Sequence, residues 1–177
     1  AQYINIEDNL VVADTVGTTS SVTAITATSS MTSGTAYGNN ANHITISGNE
    51  IKGGYYGIVM NGSSLTSHIS DINILNNDLT LQYFYGIRCY YVEDVDIIGN
   101  SFTDARASGS YGIYAGYCFD FNIEENNLVA KTYALYLYYG NYQVNGLSTQ
   151  SRVVNNMCSS AGAYGMYAYT PRFVDFY

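Results

Sequence analysis

Hydrophobic and polar positions alternate along this chain in short runs of four to six residues, as in Ile72-Asn73-Ile74 and Phe121-Asn122-Ile123. Nowhere do the apolar positions recur at helical spacing over a long window, so the pattern predicts strands joined by bends. One motif returns six times: a hydrophobic residue, two residues, an asparagine, one residue and a second hydrophobic. The matches are Ile6/Asn9/Val11, Ile46/Asn49/Ile51, Ile74/Asn77/Leu79, Ile97/Asn100/Phe102, Ile123/Asn126/Leu128 and Val153/Asn156/Cys158. Each is followed by a small residue and an aliphatic one: Ala24-Ile25, Gly57-Ile58, Gly86-Ile87, Gly112-Ile113, Ala134-Leu135 and Gly165-Met166. Tyrosine precedes the last five pairs, as Tyr56, Tyr85, Tyr111, Tyr133 and Tyr164. Such self-similarity marks a solenoid, whose repeats bury their apolar faces only by stacking on one another.

Each turn of the solenoid is expected to hold three strands: one before the asparagine, one just after it and one at the small-aliphatic pair. Asparagine suits the bend because it tolerates left-handed backbone and bonds its own chain, and stacked asparagines bond each other. On this recurrent corner the chain resembles the right-handed parallel β-helix repeats of the pectate-lyase-like superfamily. The resemblance implies an all-β fold, a single-stranded right-handed parallel β-helix of about six coils running through residues 1–177 as one domain. It is weak for activity, because the superfamily includes polysaccharide lyases and hydrolases, epimerases, tailspikes and adhesins.

Spacing between the asparagines runs 40, 28, 23, 26 and 30 residues. A core coil therefore needs roughly 22 residues, and the rest sits in loops. Residues 13–43 are rich in Ser and Thr and are expected to form a looped coil with a strand around Val22, Ile25 and Ala27; disorder is the competing reading. Insertions after Met60 and after Tyr139 enlarge the same loop, between the Gly-Ile strand and the strand before the next asparagine. At the far end Val174 and Phe176 match Phe121 and Ile123. The pattern thus stops mid-repeat, and the expectation is a piece of a longer solenoid or a solenoid capped by another chain.

Composition narrows the setting. Among 177 residues only 11% are charged, with 20 Tyr, 17 Gly, one Pro and no Trp, which fits a turn-rich all-β protein. A net charge of −8 argues against nucleic acid and against an anionic membrane surface. No apolar run is long enough to span a bilayer. Of three cysteines, Cys89 and Cys158 have inward register and read as small buried hydrophobes rather than disulfide or metal ligands. His43 and His68 do not make a metal set.

Two outward constellations carry candidate chemistry. Six residues before each bend asparagine stand His43, Asp71, Asp94, Asp120 and Gln150; four before stand Thr45, Asn73, Asp96, Asn122 and Arg152. Coils about 4.8 Å apart would stack Asp71, Asp94 and Asp120 as like charges. They are weak candidates for a glycosidase-like carboxylate pair, for calcium, or for a solvated stripe that guards the sheet against aggregation. The superfamily's polygalacturonase-type acidic and Arg-x-Lys motifs are missing, so no catalytic residue is carried over. The second constellation is aromatic. One residue after each aliphatic come Val59, Arg88, Tyr114, Tyr136 and Tyr167; three after come Asn61, Tyr90, Gly116, Tyr138 and Tyr169. Arg88, Tyr90, Tyr114, Tyr136, Tyr138, Tyr167 and Tyr169 are expected to form an exposed binding panel. The tyrosines from Tyr56 to Tyr164 have inward parity and read as a stacked corner ladder.

Three functions follow as expectations. The first is a non-catalytic extracellular, cell-surface or virion segment, of adhesin or tail-fibre type, that contacts glycans or partner protein chains through the panel. The second is a polysaccharide lyase or glycoside hydrolase using the acidic ladder. The third is a structural spacer in a multi-chain assembly.

Overall fold

The computed structural model describes residues 3–30, 32–38, 41–103, 105–141 and 150–177, and among them every regular element is a strand. The first coil holds β1 (Ile4–Glu7), β2 (Leu10–Val12) and β3 (Thr23–Ala27), and the second β4 (Ile44–Ser47), β5 (Glu50–Lys52) and β6 (Tyr56–Asn61). The third holds β7 (Ile69–Leu75), β8 (Asp78–Thr80) and β9 (Tyr85–Tyr90), and the fourth β10 (Val92–Ile98), β11 (Ser101–Thr103) and β12 (Tyr111–Gly116). The fifth holds β13 (Phe119–Glu124), β14 (Asn127–Ala130) and β15 (Tyr133–Tyr138), and the sixth β16 (Ser151–Val154), β17 (Met157–Ser160) and β18 (Tyr164–Tyr169). A last strand, β19 (Val174–Phe176), opens the next turn.

Strands of successive coils pair in parallel to give three walls. The acidic sheet runs β1-β4-β7-β10-β13-β16-β19, the short sheet β2-β5-β8-β11-β14-β17, and the tyrosine sheet β3-β6-β9-β12-β15-β18. This is a parallel β-helix, as the repeat predicts. Register follows the motif residue by residue: Ile46 pairs with Ile74, Ile74 with Ile97 and Ile97 with Ile123. Leu128 pairs with Cys158, and Val153 with Phe176. Inward aliphatics such as Ile46, Ile51, Ile58, Ile72 and Ile74 are fully buried, each contributing about 2–3 kcal/mol over exposure.

The six asparagines form one continuous column. From each to the next, the backbone N–H and the side-chain Nδ2 both donate to the following Oδ1; Asn77 reaches Asn100 at 2.9 Å by both routes. Nδ2 also donates back to a carbonyl of the coil before, as from Asn77 to Ile46 at 2.8 Å. The four inner amides, Asn49, Asn77, Asn100 and Asn126, are buried, and the network satisfies their donors, which is why the residue type repeats. Left-handed backbone falls one residue earlier than expected. Asp8, Gly48, Asn76, Gly99, Glu125 and Asn155 carry φ between 53° and 68°, while the bend asparagines do not. The corner needs αL just before the residue whose side chain must turn inward.

A second corner lies at the small residue before each aliphatic. A Cβ on Gly112 would stand 2.4 Å from the Ala134 carbonyl oxygen and 3.3 Å from the Leu128 Cβ, so this position faces inward and the preceding tyrosine turns out. In the looped first coil, β3 buries Ile25, with Val22 just outside the strand. The Met60 insertion folds back on itself through an antiparallel bridge between Ser64 and Ser67. Most of the Tyr139 insertion, residues 142–149, lies outside the described residues. Both join a tyrosine-sheet strand to an acidic-sheet strand, β6 to β7 and β15 to β16.

Candidate functional site

The tyrosine sheet displays its aromatic side chains in register columns. Arg88 pairs with Tyr114, Tyr114 with Tyr136, and Tyr136 with Tyr167. The Tyr114 and Tyr136 rings lie 5.2 Å apart at 5° between planes, and those of Tyr136 and Tyr167 lie 5.1 Å apart at 20°. In the next column Tyr138 stacks on Tyr169 at 5.6 Å. Gly116 leaves a gap there, and the Tyr90 ring leans across it, 12° from parallel to Tyr114. The sequence-predicted panel residues are therefore brought together on one face.

The corner tyrosines also stack, from Tyr56 on Tyr85 at 5.4 Å to Tyr111 on Tyr133 at 4.9 Å. Their expected inward parity is corrected, however, because the glycine or alanine beside each fills the inside of the corner. The rings lie on the outer wall and meet the panel edge-on, as Tyr111 meets Tyr136 at 80°. A fourth column, Tyr91, Tyr117 and Tyr139, was missed by sequence reasoning. Its members follow the aliphatics by four residues, take αL backbone at φ 55°, 49° and 52°, and stack at 5.3 and 5.1 Å. Counting one position further along the repeat finds it.

Ring faces in these columns are turned toward neighbouring rings, so the wall offers edges and phenol hydroxyls outward. Burial raises the phenol pKa of Tyr85, Tyr90, Tyr111, Tyr114 and Tyr136 above the ordinary value, and that of Tyr117 to about 12. At neutral pH the wall is uncharged except at Arg88. Its Nη1 donates to Asn61 Oδ1 at 2.7 Å and its Nη2 to the Tyr37 hydroxyl at 3.1 Å. The guanidinium lies over the Tyr37 and Tyr90 rings at 5.7 and 5.1 Å. Tyr37 comes from the Ser/Thr-rich first coil, which anchors to the wall through Asn61 Nδ2 donating to the Thr35 carbonyl at 2.9 Å.

On the acidic sheet Asp71, Asp94 and Asp120 do stand on successive rungs, again with αL backbone (φ 57°, 52° and 48°). Asp71 is turned to His43, with Oδ2 2.6 Å from Nδ1, and also accepts from Asn73 at 3.3 Å. Glu93 holds His68 at 2.5 Å. Asp94 is exposed, and its pKa is raised first by desolvation and then by Asp71, Asp120, Asp96 and Glu93. In the next column Asn122 donates to Asp96 at 2.8 Å, and Arg152 pairs with Glu124 at 3.1 Å.

A family model described as "Periplasmic copper-binding protein (NosD)" matches residues 2–171. The chain belongs to the NosD family. That family is a parallel β-helix family of the pectate-lyase-like superfamily, in agreement with the walls described above. Its periplasmic setting puts this NosD-family chain, at a coarse level, among extracytoplasmic proteins. No curated protein and no solved structure matches the chain.

Copper is tested against the residues present. Cys89 and Cys118 are fully buried in the core. Burial pushes the Cys89 thiol far up and that of Cys118 to about 12, which disfavours the thiolate a soft metal requires. Cys158 is raised to about 11 for the same reason. Both histidines are engaged by carboxylates. Among the described residues no three or more His, Cys, Asp or Glu side chains are gathered into a group that could hold a metal ion. The described residues do not fit a copper centre. Asp71, Asp94 and Asp120, the residues expected to offer a calcium set, stand on successive rungs with Asp71 turned aside to His43, and among the described residues they are not gathered into a metal-holding group.

Proposed function

We propose that this NosD-family chain is a non-catalytic extracytoplasmic β-helix that contacts a protein partner through the outer face of its tyrosine sheet. The observation that carries the reading is the in-register wall of phenols on a chain whose charge lies elsewhere. The six strands of that sheet contain no Asp, Glu or Lys, whereas the seven strands of the acidic sheet hold Glu7, Asp71, Glu93, Asp94, Asp96, Asp120, Glu124 and Asp175. Tyrosine gives large, rigid contact area with a hydrogen-bonding tip at little entropy cost. Stacking within the columns fixes the rings before a partner arrives, which lowers the cost of binding further. Protein contact is favoured over sugar stacking because most ring faces are already occupied by other rings.

Site-specific photocrosslinking in the producing cell tests the reading. A benzophenone amino acid at Tyr138 or Tyr167 is expected to capture one discrete protein, and the same probe at Asp78 on the short sheet is not. Adding Tyr136→Ala should remove the adduct. Equal capture from Asp78, or none from the wall, overturns the proposal. Glycan-array binding that is lost with Tyr136→Ala and Tyr167→Ala would replace the protein partner by a sugar.

A further inference from the structure

We propose that Arg88 is the anchor of the tyrosine wall for a carboxylate, so that the partner segment it takes is a short acidic stretch of protein with an apolar or aromatic residue beside the acid. The inference rests on the protein-contact reading of the wall and adds the chemistry of what the wall binds. Arg88 is the lone cation in the six strands of this sheet. Other cations of the chain are engaged differently. Lys52 pairs with Glu50 and Arg152 with Glu124. Arg106 donates to the carbonyls of Leu81 and Gly54, and Lys131 to that of Arg106.

Arg88 has no carboxylate among the described residues. Its partners are a buried amide, a phenol and two ring faces, which fix the fork without neutralising it. A guanidinium held in this way keeps donors for a planar bidentate acceptor, and a carboxylate matches that geometry. The surrounding phenols are neutral, so an arriving carboxylate meets one oriented positive charge and no competing anion on the wall. Asn61, the residue that orients the fork, is 0% exposed and is itself tied to the Thr35 carbonyl of the first coil, so the fork is held by a buried side chain.

Size favours a segment over a second copy of the chain. Five rungs at about 4.8 Å, crossed by six-residue strands at about 3.3 Å per residue, offer on the order of 500 Å². A standard stable interface needs roughly 800 Å² per side. A chain of net charge −8 also repels its own copies. A peptide that spans a few rungs uses both the phenol edges and the fork.

The test is selection of a phage-displayed random dodecapeptide library on the immobilised chain, followed by anisotropy with the selected peptides. Asp or Glu next to an apolar or aromatic residue should be enriched on the native protein. Arg88→Gln should abolish the acid enrichment and weaken a selected peptide by about 10- to 100-fold. Changing that peptide's acid to its amide should cost the same on the native protein and nothing further on the variant. Arg88→Lys should recover only part of the affinity, and circular dichroism should show both variants folded. Peptides lost with Tyr136→Ala but indifferent to Arg88→Gln overturn the anchor and leave the protein-contact reading standing. Failure to select any peptide overturns both. Arg88-dependent capture of a uronic-acid oligosaccharide, with no acidic peptide selected, overturns the protein source of the carboxylate.

Discussion

The tyrosine sheet and the acidic sheet hang on the same asparagine column, yet they solve opposite problems. A parallel solenoid places like residues of successive repeats above one another at about 4.8 Å. For phenols this is favourable, since every added rung supplies another stacked face, and the corner column runs from Tyr56 to Tyr164. For carboxylates it is unfavourable. The acidic sheet accordingly dilutes its charge: His43 closes one end of the Asp71–Asp94–Asp120 series, and Asn73 and Asn122 flank Asp96 in the next column. One register rule thus produces a neutral, pre-stacked wall on one side and an acidic wall partly relieved by His43, Asn73 and Asn122 on the other.

Alkaline titration separates the walls most sharply. The fold favours neutral phenols, so their folded pKa lies above the unfolded value of 10.0. The stability they confer is complete below about pH 10 and falls as pH rises from there through the folded values. Several coupled phenols titrate together, so unfolding is expected to begin above about pH 10, with phenolate absorbance and loss of the strand circular dichroism rising in one transition. Phenolate that forms at its ordinary pH with the strands intact would mean that the tyrosines are freely solvated, contrary to the stacked wall.

Removing the shared frame should damage both walls at once. Asn77→Ala leaves the buried backbone N–H of Asn49 without its acceptor, removes one of the three acceptors of the Asn49 Nδ2, takes the Asn77 Nδ2 donor from the Ile46 carbonyl and opens a gap beside Asn100. A cost of about 3 kcal/mol is expected, several times an ordinary hydrogen bond because buried groups are left unpaired. Denaturant melts read it. A cost below about 1 kcal/mol would mean that the column records the fold without holding it together.

How much of this was legible follows from what repeats. The asparagine column, the inward Ile register, the placement of Cys158 over Leu128 and the pairing of Tyr114, Tyr136 and Tyr167 are all periodic, so counting finds them. Backbone sign is a different matter. The αL positions at Asp71, Asp94, Asp120 and Tyr91 are occupied by residues that also occur in ordinary strands, and alternation alone assigns no φ. The outward turn of Tyr111 was hidden for a related reason: parity assumes strict alternation, and here the neighbours Gly112 and Ile113 are both buried. Tyr37 reaches Arg88 from a loop of unique length, so no count along the repeat could have paired them.

The smallest expected effect tests the cost of the acidic wall. Asp94 is exposed, and desolvation together with Asp71, Asp120, Asp96 and Glu93 raises its folded pKa above the ordinary carboxylate value. For a carboxyl raised in the fold, the charged form opposes folding. Its destabilisation is absent below the unfolded pKa, grows as pH climbs through the folded pKa, and is complete above it. Asp94→Asn should therefore stabilise the chain at pH 7 by about 0.5 kcal/mol, the scale of exposed charge pairs, and change nothing at pH 3. High salt should shrink the gain by screening. Partner capture from the tyrosine wall should be untouched, because Asp94 lies on the other sheet. Destabilisation at pH 7 would show that Asp94 makes a favourable contact, and the acidic wall would then be a built site rather than a tolerated repulsion.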